Sequence, residues 1–145
     1  MTTVSPYLHF DGKCEEAFNF YKSALGGETQ MIMRVKDLPA DVPGPKPTTE
    51  EEGEQILHMD LVLNERTTIL GSDMPEAYGP ATPGKNFAIF LNFDTEEETK
   101  KVFDAMSAGG VVTMPLAPSF WGALFGMCID KYGVSWMLSC EQKQG

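Results

Sequence analysis

The sequence predicts an α+β fold of two tandem β–α–β–β–β units, forming a curled eight-stranded, mostly antiparallel sheet system. Three observations predict it. Strand-like alternation is followed twice by an amphipathic helical stretch. Glycine pairs close both helical stretches. The first half also repeats in the second at a fixed spacing. Moved by 83 positions, Leu8, Phe10, Asp11, Glu15, Phe20, Gly26, Gly27 and Met31 fall on Leu91, Phe93, Asp94, Glu98, Phe103, Gly109, Gly110 and Met114. Moved by 68, Met59, Leu61, Leu70 and Asp73 fall on Met127, Ile129, Leu138 and Glu141.

The elements follow in order. Residues 4–10 alternate, with Val4, Leu8 and Phe10 on one parity and Ser5, Tyr7 and His9 on the other. Asp11-Gly12 ends that strand. A helix over 14–25 follows, with Ala17, Phe18, Tyr21 and Leu25 as its apolar face and an acidic first turn. Thr29 to Val35 reads as the next strand. The second helix spans 96–108. The repeat units run over 4–73 and 86–141 of a single domain covering 1–145. The change of spacing from 83 to 68 gives the first unit 15 extra residues, within the proline- and glutamate-rich stretch 37–55. That stretch reads as a long polar loop, either a solvated insertion or a lid. A second loop, Met74 to Lys85, holds Pro75, Pro80 and Pro83 and separates the halves.

Composition narrows the function classes. Of 145 residues, 42% are hydrophobic, enough for a core. With 21 acidic and 11 basic side chains the formal charge is −10. No Lys/Arg cluster offers a phosphate-binding face, so nucleic acid and anionic membranes are poor partners. No apolar run reaches the ~20 residues of a membrane span. The start of the chain does not read as a signal peptide. Cys14, Cys128 and Cys140 form no C-x-x-C pair and read as buried, reduced thiols in a cytoplasmic protein. No G-x-S-x-G elbow and no glycine-rich cofactor turn follows a strand.

The segments PYLHFDG, CEEA, ILHMDL, TMPLAPSFWGALFGMCIDKYG and SWML together resemble PhnB-like proteins, also called demethylubiquinone methyltransferase-like. These belong to the vicinal oxygen chelate superfamily, with glyoxalases, bleomycin-resistance proteins and extradiol dioxygenases. The resemblance covers nearly the whole chain. It implies the paired β–α–β–β–β fold, concave clefts, and a homodimer or an internal pseudo-dimer.

Metal enzymes of that superfamily take His, Glu or Gln ligands from four strand positions, which align here with Ser5, Ile69, Ala88 and Met137. These residues cannot build a His/carboxylate site, so no superfamily metal and no other cofactor is expected. A substitute metal site would need His9, His58 and Glu141, and would imply a metal-dependent lyase, isomerase or dioxygenase. The competing expectation is a metal-free cleft for a small apolar or planar molecule. It would be lined by Tyr7, His9, His58, Asp60, Phe90, Trp121, Met127 and Trp136. The aromatic and methionine side chains among these read equally as core.

Overall fold

The computed structural model describes residues 2–74, 79 and 81–141. The chain divides into two compact units, Met1–Thr82 and Pro83–Gly145.

The first unit contains strand β1 (Tyr7–Phe10), helix α1 (Cys14–Leu25), β2 (Ile32–Arg34), a 3₁₀ turn at Val35–Asp37, helix α2 (Glu50–Glu54), β3 (Ile56–Asn64) and β4 (Thr67–Asp73). Its sheet runs β1-β4-β3-β2, with β1 parallel to β4 and the other pairs antiparallel. Helix α1 crosses one face. Cys14, Ala17, Phe18 and Tyr21, spaced as one helical stripe, bury against Leu8, Phe10, Met59, Leu61 and Ile69. Gly71 makes the approach possible, because a Cβ there would sit 2.5 Å from the Phe18 ring and 3.1 Å from Cys14 Sγ.

The second unit repeats the plan with β5 (Ile89–Phe93), α3 (Glu96–Ser107), β6 (Val111–Pro118), β7 (Ala123–Ile129) and β8 (Ser135–Glu141), ordered β5-β8-β7-β6. Thr95 caps α3 by accepting from Glu98 N at 3.1 Å. The stripe Thr99, Val102, Phe103 and Met106 buries against the sheet. Trp136 and Leu138 on β8, both fully buried, lie in this unit's core.

Several expectations need correction. The second strand is only Ile32–Arg34. Asp60 accepts from the N–H groups of Gln30 and Met31 just before it, and the chain enters the 3₁₀ turn just after it. The 37–55 stretch is not wholly a loop. Thr49 accepts from Glu52 N, and Lys36 and Arg34 pair with Glu54, so Glu50–Glu54 closes into one helical turn. The separation of 68 between the later strands is 67. Tyr7 pairs with Leu70 and Phe90 with Met137, so Leu70, not Ile69, matches Met137. Of the loop between the halves, Pro75 and Pro80 lie outside the described residues.

Candidate functional site

In each unit the helix covers one sheet face and leaves the other open. The open face of the first unit is built by strand alternation. On β1, Leu8 and Phe10 point to the helix, which turns Tyr7 and His9 outward. The register then sets two rows across the sheet. In one row His9 pairs with Ser72, His58 lies opposite Ser72 because Met59 pairs with Gly71, and Met33 pairs with His58. In the adjoining row Tyr7 pairs with Leu70 and Leu70 with Asp60.

The side chains close up over these rows. The Tyr7 hydroxyl lies 3.1 Å from His58 Nδ1, and His9 Nδ1 lies 3.2 Å from Ser72 Oγ. The Tyr7 ring stands 5.0 Å from that of His9 and 5.6 Å from that of His58, tilted to both. Strands β1, β3 and β4 contain no Lys or Arg, and Asp60 is the charged side chain beside the cluster. Its Oδ1 accepts from Gln30 N at 2.8 Å and from Met31 N at 3.1 Å, so this carboxylate pins the edge of β2. Four of the residues expected from the sequence, Tyr7, His9, His58 and Asp60, thus share one face.

The second unit holds the other four. Phe90, 55% exposed, pairs with Met137, and Met137 with half-buried Met127, on that unit's open face. Trp121 sits in the β6–β7 turn, edge-on to Phe120 at 4.8 Å and Phe125 at 5.2 Å. Ser119 braces this turn, donating to the Ala123 carbonyl and accepting from Ala123 N. Trp136 does not join the open face. It is fully buried on the helix side, and its Nε1–H donates to Asp130 Oδ2 at 2.8 Å. The reason is the two-residue strand period: Trp136 and Met137 are neighbours and must face opposite ways.

The positions aligned with superfamily ligands also shift. Ser5 and Ala88 lie just before β1 and β5, and Ile69 is buried beneath α1, leaving Leu70 as the open-face partner of Tyr7. Leucine offers no ligand atom either. Among the described residues no three His, Cys, Asp or Glu side chains are grouped to hold a metal ion. His9 and His58 have the hydroxyl partners described above, and Glu141 is an exposed residue at the end of β8.

Two buried carboxylates have structural roles that the sequence pattern does not mark. Asp73 Oδ1 accepts from Cys14 N and Oδ2 from Ile56 N, both at 2.9 Å, tying the end of β4 to the starts of α1 and β3. Asp130 Oδ1 accepts from Tyr132 N and Val134 N while Oδ2 holds Trp136. All three cysteines are free and buried. Burial, with the Asp73 and Glu15 charges adding to it, pushes the Cys14 thiol far up. Burial and then the Asp130 charge push Cys128 up to about 11.

Paired β–α–β–β–β units, each with a helix on one face and an open sheet face opposite, make up the vicinal oxygen chelate fold. The fold alone is shared with the fosfomycin resistance protein FosX of Listeria monocytogenes, with a TM-score of 0.64, 10% identity, and 98% and 94% of the two chains covered. The chain belongs to the PhnB-like family described as 3-demethylubiquinone-9 3-methyltransferase, whose pattern matches residues 2–139. It is similar to Protein YjdN of Escherichia coli K12, 30% identical over 147 positions and covering 97% of each. Among solved structures it resembles PA1353 of Pseudomonas aeruginosa, with a TM-score of 0.83, 38% identity, and 99% and 100% coverage. A PhnB protein of Bacillus cereus gives a TM-score of 0.74, 28% identity, and 96% and 99% coverage.

Proposed function

We propose that this protein binds a small, planar, largely apolar molecule on its open sheet faces without the superfamily's metal, and that it works as a homodimer. The observation that carries the binding function is the Tyr7–His9–His58 cluster on the first unit. Three rings and two hydroxyls gather on a face that its helix leaves open, and Asp60 beside them is already engaged. Aromatic walls with a few placed polar groups suit a planar ligand. On the second unit, Phe90, Met127 and Met137 give an apolar face of similar character. Nothing in the first β–α turn favours methyl transfer. That turn holds one glycine, Gly12, and the Cys14 N–H that opens α1 is taken by Asp73.

Binding of planar aromatic fragments to protein dialysed against chelator tests this. Backbone amide NMR shifts should move on β1, β3 and β4, and Tyr7→Ala should weaken binding by about tenfold, the effect of losing a central aromatic contact. Binding that appears only when Zn, Ni, Fe or Mn is added, and is lost in His9→Ala or His58→Ala, would replace this function with a metal-dependent one.

A further inference from the structure

The hydroxyls beside the two imidazoles decide what those imidazoles offer a ligand. We infer that Ser72 and Tyr7 hold His9 and His58 as their Nε2–H tautomers. The open face then presents two hydrogen-bond donors and takes a neutral planar molecule bearing a carbonyl acceptor.

The inference rests on the binding function proposed above and specifies its ligand class. Each imidazole meets a hydroxyl through Nδ1, at 3.2 Å for His9 and 3.1 Å for His58. A neutral imidazole carries one proton, so the role of Nδ1 fixes that of Nε2. The unprotonated ring nitrogen is a strong neutral acceptor, whereas the phenol oxygen shares its lone pairs with its ring and donates better than it accepts. Tyr7 therefore donates to His58. Ser72 is 7% exposed, and among the described residues its hydroxyl hydrogen has no other acceptor. A buried hydroxyl hydrogen without an acceptor is costly, so Ser72 donates to His9. Both protons of the imidazole pair then sit on Nε2, and among the described residues no group takes either one.

The two imidazoles stand in one row, separated by the strand that carries Ser72. Their Cα atoms are therefore two strand spacings apart, about 9–10 Å. The Tyr7 ring spans that gap, 5.0 Å from the His9 ring and 5.6 Å from the His58 ring, so a flat ligand ring would stack on the exposed side of Tyr7 beside the imidazoles. The two ring-nitrogen directions of an imidazole diverge. With each Nδ1 turned to its hydroxyl, the two Nε2–H donors point apart, and each calls for its own acceptor, such as a carbonyl oxygen. Charge chooses between the acceptor classes. A carboxylate or phosphate would meet no Lys or Arg from β1, β3 or β4. It would lie one row from the Asp60 carboxylate, on a chain of formal charge −10. A neutral carbonyl gains a hydrogen bond from either donor without that repulsion. A cation gains nothing from the donor edge, because two N–H groups offer it no lone pair.

The test combines the tautomers with a matched set of probes. In ¹⁵N-histidine NMR, at a pH well above the imidazole range, both rings should show the Nε2–H pattern. Tyr7→Phe should move His58 towards a tautomer mixture and leave His9 unchanged. 1-Indanone and indane share one skeleton, with and without the carbonyl, and benzoate supplies an anion. 1-Indanone should bind about tenfold more tightly than indane, because a site with unpaired donors discriminates against the ligand that cannot accept. It should also bind more tightly than benzoate. Equal binding of 1-indanone and indane, or an Nδ1–H pattern on either ring, would overturn the donor edge and leave planar apolar binding standing. Tighter binding of benzoate would overturn the neutral class. Failure of all three probes to bind would remove both the ligand class and the binding function it rests on.

Discussion

At the scale of single residues, what organises each unit is carboxylate geometry that the sequence does not mark. Asp73 is 7% exposed and joins β4 to the first residues of α1 and β3 through two backbone N–H groups. These partners lie 59 and 17 positions away. No local motif could have disclosed them, since the bonds exist only once the sheet has formed. Asp73→Ala leaves two buried N–H groups unpaired and should cost about 2–4 kcal/mol in denaturant melts, at the scale of a lost charged hydrogen-bond pair. A loss below about 0.5 kcal/mol, the range of a neutral surface change, would mean that water replaces the carboxylate. Asp130 plays the corresponding part for Trp136, and here the sequence did carry a usable signal. Trp136 and Met137 are adjacent in a strand, so only one could face a ligand. Glu141 shares the parity of Met137, and that places Trp136 in the core.

At the scale of elements, the repeat was legible where backbone geometry demands particular residues and misleading where side chains merely coincide. Gly26 and Gly109 do match at the spacing of 83, with φ of 79° and 76° just beyond the two helices. Gly27 and Gly110 match as well, since a Cβ at either would collide with the carbonyl of Val62 or Ile129. The pairing of Phe20 with Phe103 does not hold. Phe103 lies in the buried stripe of α3, whereas that place in α1 belongs to Phe18, and Phe20 is half-buried beside it. The later strands match at 67 rather than 68, and a slip of one residue exchanges the faces of a strand. This is why the spacing of 68 aligns Ile69, a core residue, with a superfamily ligand position. Helix and sheet approach too closely for a Cβ at Gly71, under Phe18. Gly71→Ala should therefore force α1 outward and cost about 1–3 kcal/mol, the penalty of overpacking a core. The melting temperature and denaturant midpoint measure it, and an unchanged midpoint would mean that the Phe18 ring swings away freely. Arg34 adds a bond between elements, with Nη1 and Nη2 donating to Glu15 at 3.1 and 2.7 Å while its Nε pairs with Glu54. The same hydrogen bonds hold the Glu15 carboxyl below its ordinary range.

At the scale of the whole molecule, the distribution of charge bears on association. A formal charge of −10 makes copies repel, yet the sequence has no charged residue between Asp104 and Asp130. That segment includes the β6–β7 hairpin. Its edge strand β6 exposes Val111, Val112 and Met114, at 59%, 44% and 47%, and its turn exposes Phe120 and Trp121. Exposed apolar edges of this kind are normally buried by a partner or guarded by charge, and here charge is absent. Pro115 and Pro118 on β6 lack the N–H that a further strand would need, which opposes extension of the sheet and favours contact through side chains. A second copy meeting this surface encounters none of the acidic residues that dominate the chain, and a symmetric pair covers both hairpins at once. The homodimer should bury more than ~1,000 Å², the floor for a specific interface. Sedimentation at micromolar concentration should show it, and added salt should tighten it by screening the repulsion between acidic surfaces. Val112→Glu places a charge on the exposed edge and should shift the equilibrium to monomer while leaving the far-UV circular dichroism unchanged. A dimer that survives Val112→Glu and Met114→Glu together would have to use another surface. A monomer at every concentration, with and without salt, would end the dimer.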